Sequence, residues 1–255
     1  MFVCGLDIGA ATAKAVILEE GRMLSWCVAP TGQSVDSATD RVMKEVTGKI
    51  GIGVADIKCL VTTGYGRHSV SFADRAVSEI VCHARGANFL LPSARTVVDI
   101  GGQDSKIIAM DDAGNVTNFV MNDKCAAGTG RFIEVMANVL EVPLSDMGKV
   151  SLTSGKPSQI SSTCTVFAES EVVSLRARGE PCENLIAGIH KGIASRIITM
   201  GRSVGFSKEV AFTGGVAKNV GVKQFLEIGI GLQIIIPEEP QIIGALGAAL
   251  LALGG

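Results

Sequence analysis

Apolar positions at the start of the chain fall in short runs separated by glycine and charged turns. Phe2 to Ile8, Thr12 to Leu18 and Met23 to Ala29 each read as a strand. Asp7-Ile8-Gly9 closes the first, and Glu20-Gly21 turns the second into the third. From Ser34 to Lys49 the pattern changes: Val35, Ala38, Val42 and Val46 recur at helical spacing and predict an amphipathic helix. Ile57 to Thr62 predicts a strand ending in Thr63-Gly64-Tyr65-Gly66, and Ser71 to Phe89 predicts a helix. The pattern then restarts. Thr96 to Ile100 is a strand ending in Asp99-Ile100-Gly101, Lys106 to Met110 a second, and Val116 to Met121 a third, with a turn from Asp111 to Asn115. Beyond it, Thr129 to Glu141, Val166 to Arg178 and Asn184 to Val204 predict helices. Val210 to Thr213 and Gln233 to Ile236 predict strands, and Gln241 to Leu253 a last helix. A three-stranded meander followed by helices and further strands, occurring twice, predicts an α/β fold with a duplicated half.

Composition narrows the class. The 255 residues suffice for one large or two small domains with a real core. With 47% hydrophobic and 19% charged residues the chain is not a disordered one. A net charge of −2 leaves no basic footprint for nucleic acid. Mean hydropathy of +0.39 raises the question of a membrane. The longest apolar run, Ile242 to Gly255, is shorter than the roughly 20 residues a spanning helix needs. The N-terminus has no basic stretch before its first acid, Asp7, so it does not read as a signal peptide, and the cytoplasm is the expected compartment.

Three phrases carry candidate chemistry. Asp7-Ile8-Gly9-Ala10-Ala11-Thr12-Ala13-Lys14 and Asp99-Ile100-Gly101-Gly102-Gln103-Asp104-Ser105-Lys106 each place an acid, a glycine turn and a lysine between two strands. Phe212-Thr213-Gly214-Gly215-Val216-Ala217-Lys218-Asn219 is a third strand-to-glycine turn that opens a helix. Glycine turns bring backbone N–H groups up to phosphate. The acids suit Mg²⁺ held through water, and the lysines suit phosphate charge. There is no G-x-x-x-x-G-K-[ST] and no G-x-G-x-x-G, which argues against P-loop and Rossmann sites.

On these phrases the chain resembles the actin, sugar-kinase and heat-shock chaperone ATPase superfamily, in which two ribonuclease-H-like domains clamp ATP between two hairpins. The resemblance implies an actin-like ATPase fold with lobes at 1–94 and 95–255. It implies nucleotide contacts from Gly9, Ala10, Ala11, Thr12, Ala13, Lys14, Gly101, Gly102 and Gln103. Further contacts would come from Gly214, Gly215, Asn219 and, on the closing helix, Gly244. Asp7 and Asp99 would hold water-linked Mg²⁺, and Gln103 or Asp104 would orient the hydrolytic water. The first loop departs from the pattern in carrying Ala10-Ala11 before Thr12, which shifts or removes a hydroxyl contact.

Of seven cysteines, two stand in unusual company. Asn122-Asp123-Lys124-Cys125-Ala126-Ala127-Gly128-Thr129-Gly130-Arg131-Phe132 and Ile160-Ser161-Ser162-Thr163-Cys164-Thr165-Val166-Phe167-Ala168-Glu169 each place a thiol just ahead of a predicted helix. A helix N-terminus favours the thiolate. A [4Fe–4S] cluster takes four thiolates. One chain offers two such cysteines, and two copies about a two-fold axis would supply four. Two buried free thiols are the alternative. A catalytic cysteine lacks an evident partner, since His68, His83 and His190 read as surface or core residues, and Glu169 reads as part of a solvated helix face. Cys4, Cys27, Cys59, Cys82 and Cys182 read as core or loop residues.

These phrases make the chain similar, over Gly5 to Leu250, to the activator component of 2-hydroxyacyl-CoA dehydratases, within the BadF/BadG/BcrA/BcrD-type ATPases. That resemblance implies a homodimer with one [4Fe–4S] cluster held by Cys125 and Cys164, Mg-ATP in each protomer, and electron transfer to a dehydratase or reductase component. It also implies an electron donor such as ferredoxin or flavodoxin. A benzoyl-CoA reductase-type ATPase subunit, a nucleotide-gated redox sensor and a small-molecule kinase of the same fold are the alternatives.

Overall fold

The computed structural model describes residues 1–160 and 164–254. Two five-stranded sheets share one strand order. In the first, β1 (Phe2–Ile8), β2 (Thr12–Glu19) and β3 (Arg22–Pro30) form an antiparallel meander. β4 (Ile57–Thr63) joins the other side of β1 in parallel, and β5 (Arg75–Ala76) follows it. The second repeats this with β6 (Thr96–Ile100), β7 (Ser105–Met110) and β8 (Val116–Asn122) as the meander. There β9 (Val210–Thr213) lies parallel to β6, and β10 (Ile234–Ile235) lies beyond. The repeated sequence phrase is therefore a repeated geometry. In both hairpins the acid faces its lysine in register, Asp7 opposite Lys14 and Asp99 opposite Lys106.

Each sheet is covered on both faces, which is why β1 and β6 read as nearly unbroken apolar runs. Successive side chains on a strand point to opposite faces. Cys4, Leu6 and Ile8 face α1 (Val35–Gly48), meeting Ala38, Val42, Met43 and Val46. Val3 lies on the other face, against Ala245, Leu246 and Ala249 of α8 (Ile243–Leu253). In the second sheet Val98 and Ile100 face the large helical layer of α3 (Gly130–Leu140), α6 (Cys182–Gly201) and α7 (Val220–Ile230). Two further helices, α4 (Met147–Leu152) and α5 (Thr165–Ala177), complete that layer. Val97 faces α2 (Glu79–Leu90) through Ala84 and Ala87. By the same alternation Asp7 lies on the α8 face of its sheet and Asp99 on the α2 face of its own.

α2 and α8 therefore form an inner layer between the sheets, and they cross at glycine. A Cβ on Gly86 would run into the Ile243 carbonyl, and one on Gly247 into the Cys82 carbonyl. α8 also lies on β1 at Gly5, where a Cβ would strike the Ala245 oxygen and the Ala249 nitrogen. No side chain intervenes between these backbones.

The expected helix over 71–89 is shorter in the structure. Asp74 accepts the Leu60 N–H at 2.7 Å, Arg75–Ala76 pair with β4, and α2 starts only after Ser78, whose hydroxyl accepts from Ile80 N–H. These tertiary bonds hold residues 64–76 as a loop and short strand against the local helical pattern. The apolar pattern does not mark α4, and it marks α7 only as a helix of unspecified length opening at the third glycine turn. Among the described residues no helix is long and apolar enough to cross a membrane.

The glycine crossing sets a test. Alanine at Gly247 would gain about 1 kcal/mol of helix propensity but would be overpacked against backbone, a cost of about 1–3 kcal/mol or more. Gly247→Ala should therefore lower the urea midpoint. Gly192→Ala, on α6 with nothing within 4 Å of the added Cβ, should raise it. Equal midpoints for the two variants would contradict the packing described.

Candidate active site

A cleft of about 960 Å³ opens at the carboxyl ends of β1 and β6. Gly9, Ala10, Ala11, Thr12 and Lys14 line one side, and Gly101, Gly102, Gln103 and Asp104 the other. Gly214, Gly215 and Asn219 line the third edge, with Asp7 and Asp99 at the floor. Two residues expected to contact a ligand do not line it. The methyl of Ala13 is fully buried among Leu6, Ile17 and Val42, because it alternates with Thr12 and Lys14. Gly244 sits behind the floor, where a Cβ would lie 3.0 Å from Asp7 Oδ2 and 2.9 Å from His83 Cε1. Its lack of a side chain makes room for those two groups.

The two turns close alike. Gly9 N–H donates to the Thr12 carbonyl at 3.0 Å, and Gly101 N–H to the Asp104 carbonyl at 2.9 Å. Lys14 Nζ lies 3.1 Å from Asp7 Oδ2. Lys106 Nζ lies 3.2 Å from Asp99 Oδ2 and 2.8 Å from Asp104 Oδ2. Lys106 is thus committed to two carboxylates, whereas Lys14 serves one. Gln103 is exposed at the tip of its turn.

His83, read from the sequence as a surface or core residue, is at the floor of this cleft. Its Nδ1 is 2.8 Å from the Glu79 carbonyl oxygen and its Nε2 is 3.2 Å from Asp99 Oδ1. Both neighbours are acceptors, so both ring nitrogens carry protons and the ring is an imidazolium. Burial alone would lower the His83 pKa; the Asp99 carboxylate outweighs it and raises it. Burial likewise disfavours the charged Asp99, but His83, Lys106 and the Thr213 hydroxyl, which donates at 2.8 Å, hold it well below the usual carboxylate range. No sequence signal marks His83, because its partner lies in the other half of the duplication. Gly64 is a second omission. It sits beside Asp7 with φ of +85°, as Gly214 sits beside Asp99 with φ of +84°. Thr63-Gly64 repeats the Thr213-Gly214 phrase, so this pair was legible.

Asn219 lines the cleft with its side-chain amide already engaged. Its Oδ1 accepts from the N–H groups of Gly221 and Val222, capping α7, and its Nδ2 is 3.1 Å from His190 Nε2. His190 is fully buried. Burial pushes its pKa down to about 4. It is the core residue expected.

The two singled-out cysteines differ in setting. Cys164 is exposed and is the N-cap of α5. Cys125 is half-buried in a turn upstream of α3, whose N-cap is Thr129. Each thiol stands ahead of a helix, Cys164 directly at the start of α5 and Cys125 a turn before α3. The Cys125 carbonyl accepts from Asn122 Nδ2 at 2.8 Å, and Thr129 closes the turn onto the Ala126 carbonyl through N–H and hydroxyl. Ser161, Ser162 and Thr163 of the second phrase lie outside the described residues. Glu169 is half-buried on α5. Among the described residues no group of three or more His, Cys, Asp or Glu side chains is placed to hold a metal ion. The thiols of Cys4 and Cys82 are buried, which pushes them up to about 12, as inert core residues.

Two outcomes follow from these charges. Lys106→Met leaves Asp99 and Asp104 without their shared cation, and breaking such a buried pair costs about 3–5 kcal/mol in unfolding free energy. Because folding raises the His83 pKa, its stabilisation is full below the ordinary value of 6.5 and fades as pH climbs through the folded value. The stability advantage of wild type over His83→Gln, read from urea melts, should therefore shrink as pH rises above the ordinary value of 6.5. An advantage that grows with pH would show that the ring is neutral.

Comparison with known proteins agrees with this geometry. The activator of the 2-hydroxyisocaproyl-CoA dehydratase from Clostridium difficile, solved with bound ADPNP, is 46% identical. Its TM-score is 0.94, with 100% of this chain and 95% of that one covered. The (R)-2-hydroxyglutaryl-CoA dehydratase component A of Acidaminococcus fermentans is also 46% identical, with a TM-score of 0.96 over 100% and 98% of the two chains. A benzoyl-CoA reductase subunit of Thauera aromatica is 32% identical over 96% of this chain and 91% of its own. A glucokinase from Streptomyces griseus, 14% identical with a TM-score of 0.59 and full coverage of both chains, shares the actin-like fold alone. The model of the BadF/BadG/BcrA/BcrD ATPase family matches residues 4–252, and the chain belongs to that family.

Proposed function

We propose that this ATPase is the iron–sulfur activator of a 2-hydroxyacyl-CoA dehydratase, passing a low-potential electron to that enzyme at the expense of ATP. The observation that carries this reading is the attachment of the Cys125 turn to the nucleotide cleft. Gly130 and Arg131, which follow the turn, donate their N–H groups to the Gly101 and Gly102 carbonyls, each at 2.8 Å. A sugar kinase of this fold has no use for such a thiol. Identity of 46% to two activators against 32% to a benzoyl-CoA reductase subunit favours the dehydratase partner over the reductase.

In this reading the nucleotide lies between two lobes drawn from 1–94 and 95–255, which exchange their last helices, α2 packing on the second sheet and α8 on the first. The glycine turns at 9–12 and 101–104 receive its phosphates, and the backbone of 214–219 the adenosine side. Asp99, held ionised by His83 and Lys106, and Asp7, ion-paired with Lys14, would hold Mg²⁺ through water. Gln103 at the exposed turn tip orients the attacking water, its amide able both to accept and to donate. Asp104, neutralised by Lys106, instead shapes the turn.

A [4Fe–4S] cluster fits the cysteines only in a dimer. Two thiols per chain fall short of the four needed. α5 turns Val166, Phe167 and Val173 outward, exposed by 68%, 68% and 51%, beside Cys164. Apolar residues on an outer helix face suit a second copy of the chain. Cys125 and Cys164 of each copy would hold the cluster, which when bound supplies a one-electron carrier. Ferredoxin or flavodoxin is the expected electron donor.

Anaerobic iron and sulfide analysis should give about four of each per dimer in wild type. Cys125→Ala and Cys164→Ala should lose the iron–sulfur absorbance while retaining nucleotide binding. A full absorbance band in Cys125→Ala would refute the ligand assignment. Gln103→Ala should lower the ATP turnover number by about 10²-fold or more with little change in nucleotide affinity.

A further inference from the structure

The two phosphate turns touch. A Cβ built on Gly102 would lie 2.5 Å from the Ala11 methyl, and its next contact, the Ala11 Cα, is 3.8 Å away. One methyl fits between the turns and two do not. Gly102 also accepts, through its carbonyl, the Arg131 N–H at 2.8 Å, and Gly101 accepts that of Gly130 at the same distance. At Gly130 the approach is close enough that a Cβ would stand 3.1 Å from the Gly101 oxygen. From there the turn is closed onto Ala126 by Thr129, and the Cys125 carbonyl is held by Asn122. The 101–102 turn therefore meets the opposite lobe on one side and the cysteine turn on the other.

We propose that Gly102 is the positioning residue through which closure of the cleft reaches Cys125. A bound nucleotide holds Ala11 against Gly102, the contact present in the structure, and the paired bonds to Gly130 and Arg131 carry the position of that turn to residues 123–131. The inference rests on the nucleotide-site reading above. Backbone bonds, rather than a side-chain relay, carry the shift. Its extent is set by the single methyl between the lobes.

The test uses the full-length chain with Mg-ADP and with a non-hydrolysable ATP analogue. It measures nucleotide affinity by calorimetry and amide hydrogen exchange across 123–131. In wild type the analogue should slow exchange in this segment about tenfold more than ADP does. Gly102→Ala, with two methyls at the contact, should bind ADP yet reduce that difference below about twofold. The swap variant Ala11→Gly with Gly102→Ala moves the methyl to the other turn and should restore the wild-type response. Wild-type protection in Gly102→Ala with analogue bound would overturn the inference alone. Absence of nucleotide binding to wild type would overturn the nucleotide reading with it. If Gly102→Ala fails to fold or bind, the swap variant decides. Restored protection supports the inference, and analogue binding without protection overturns it.

Discussion

Asp7 and Asp99 are buried acids at the ends of the two central strands, and the cleft is organised around supplying each with polar partners. Removing a carboxylate from water is costly unless partners replace the solvent. Each acid therefore has a lysine in register on the next strand, and Asp99 has in addition His83 and the Thr213 hydroxyl. The requirement reaches into the scaffold. Gly64 and Gly214 take positive φ beside the acids, and Gly244 gives up a side chain so that α8 can pass behind Asp7. The inner helices α2 and α8, brought together at Gly86 and Gly247, cover these charges from behind through His83 and Gly244.

Much of this was legible in the amino-acid order. The hairpins were, because an acid, a glycine turn and a lysine at fixed spacing between apolar runs are local features, and their recurrence at Asp99 excluded chance. The buried face of α1 was, because Ala38, Val42 and Val46 fall on one stripe. What escaped depended on contacts between distant residues. The segment 71–78 has helical character, but the carboxylate of Asp74 and the pairing of Arg75–Ala76 with β4 override it. His83 gains its charge from an acid in the other sheet. The placement of Cys125 ahead of α3 was legible, since the helix predicted from Thr129 begins at Gly130, and Gly128, at φ of +87°, turns the chain between them.

The duplication is faithful in the sheets and broken in the helices. The strand orders match one for one, and α2 and α8 occupy equivalent inner positions. On the outer faces the first sheet carries α1, whereas the second carries α3, α6 and α7 with α4 and α5 added. Cys125 and Cys164 both belong to that added layer. On the function proposed, the thiol chemistry would lie where one half has outgrown its twin, over a floor the two halves share.

α5 has a narrow footing: Ala168 and Val172 are its fully buried residues, one turn apart. A helix with so little of its own surface covered contributes little to its own persistence in water. Under the proposed dimer, assembling the thiol site and burying the strip of Phe167 and Val173 would be a single cooperative event.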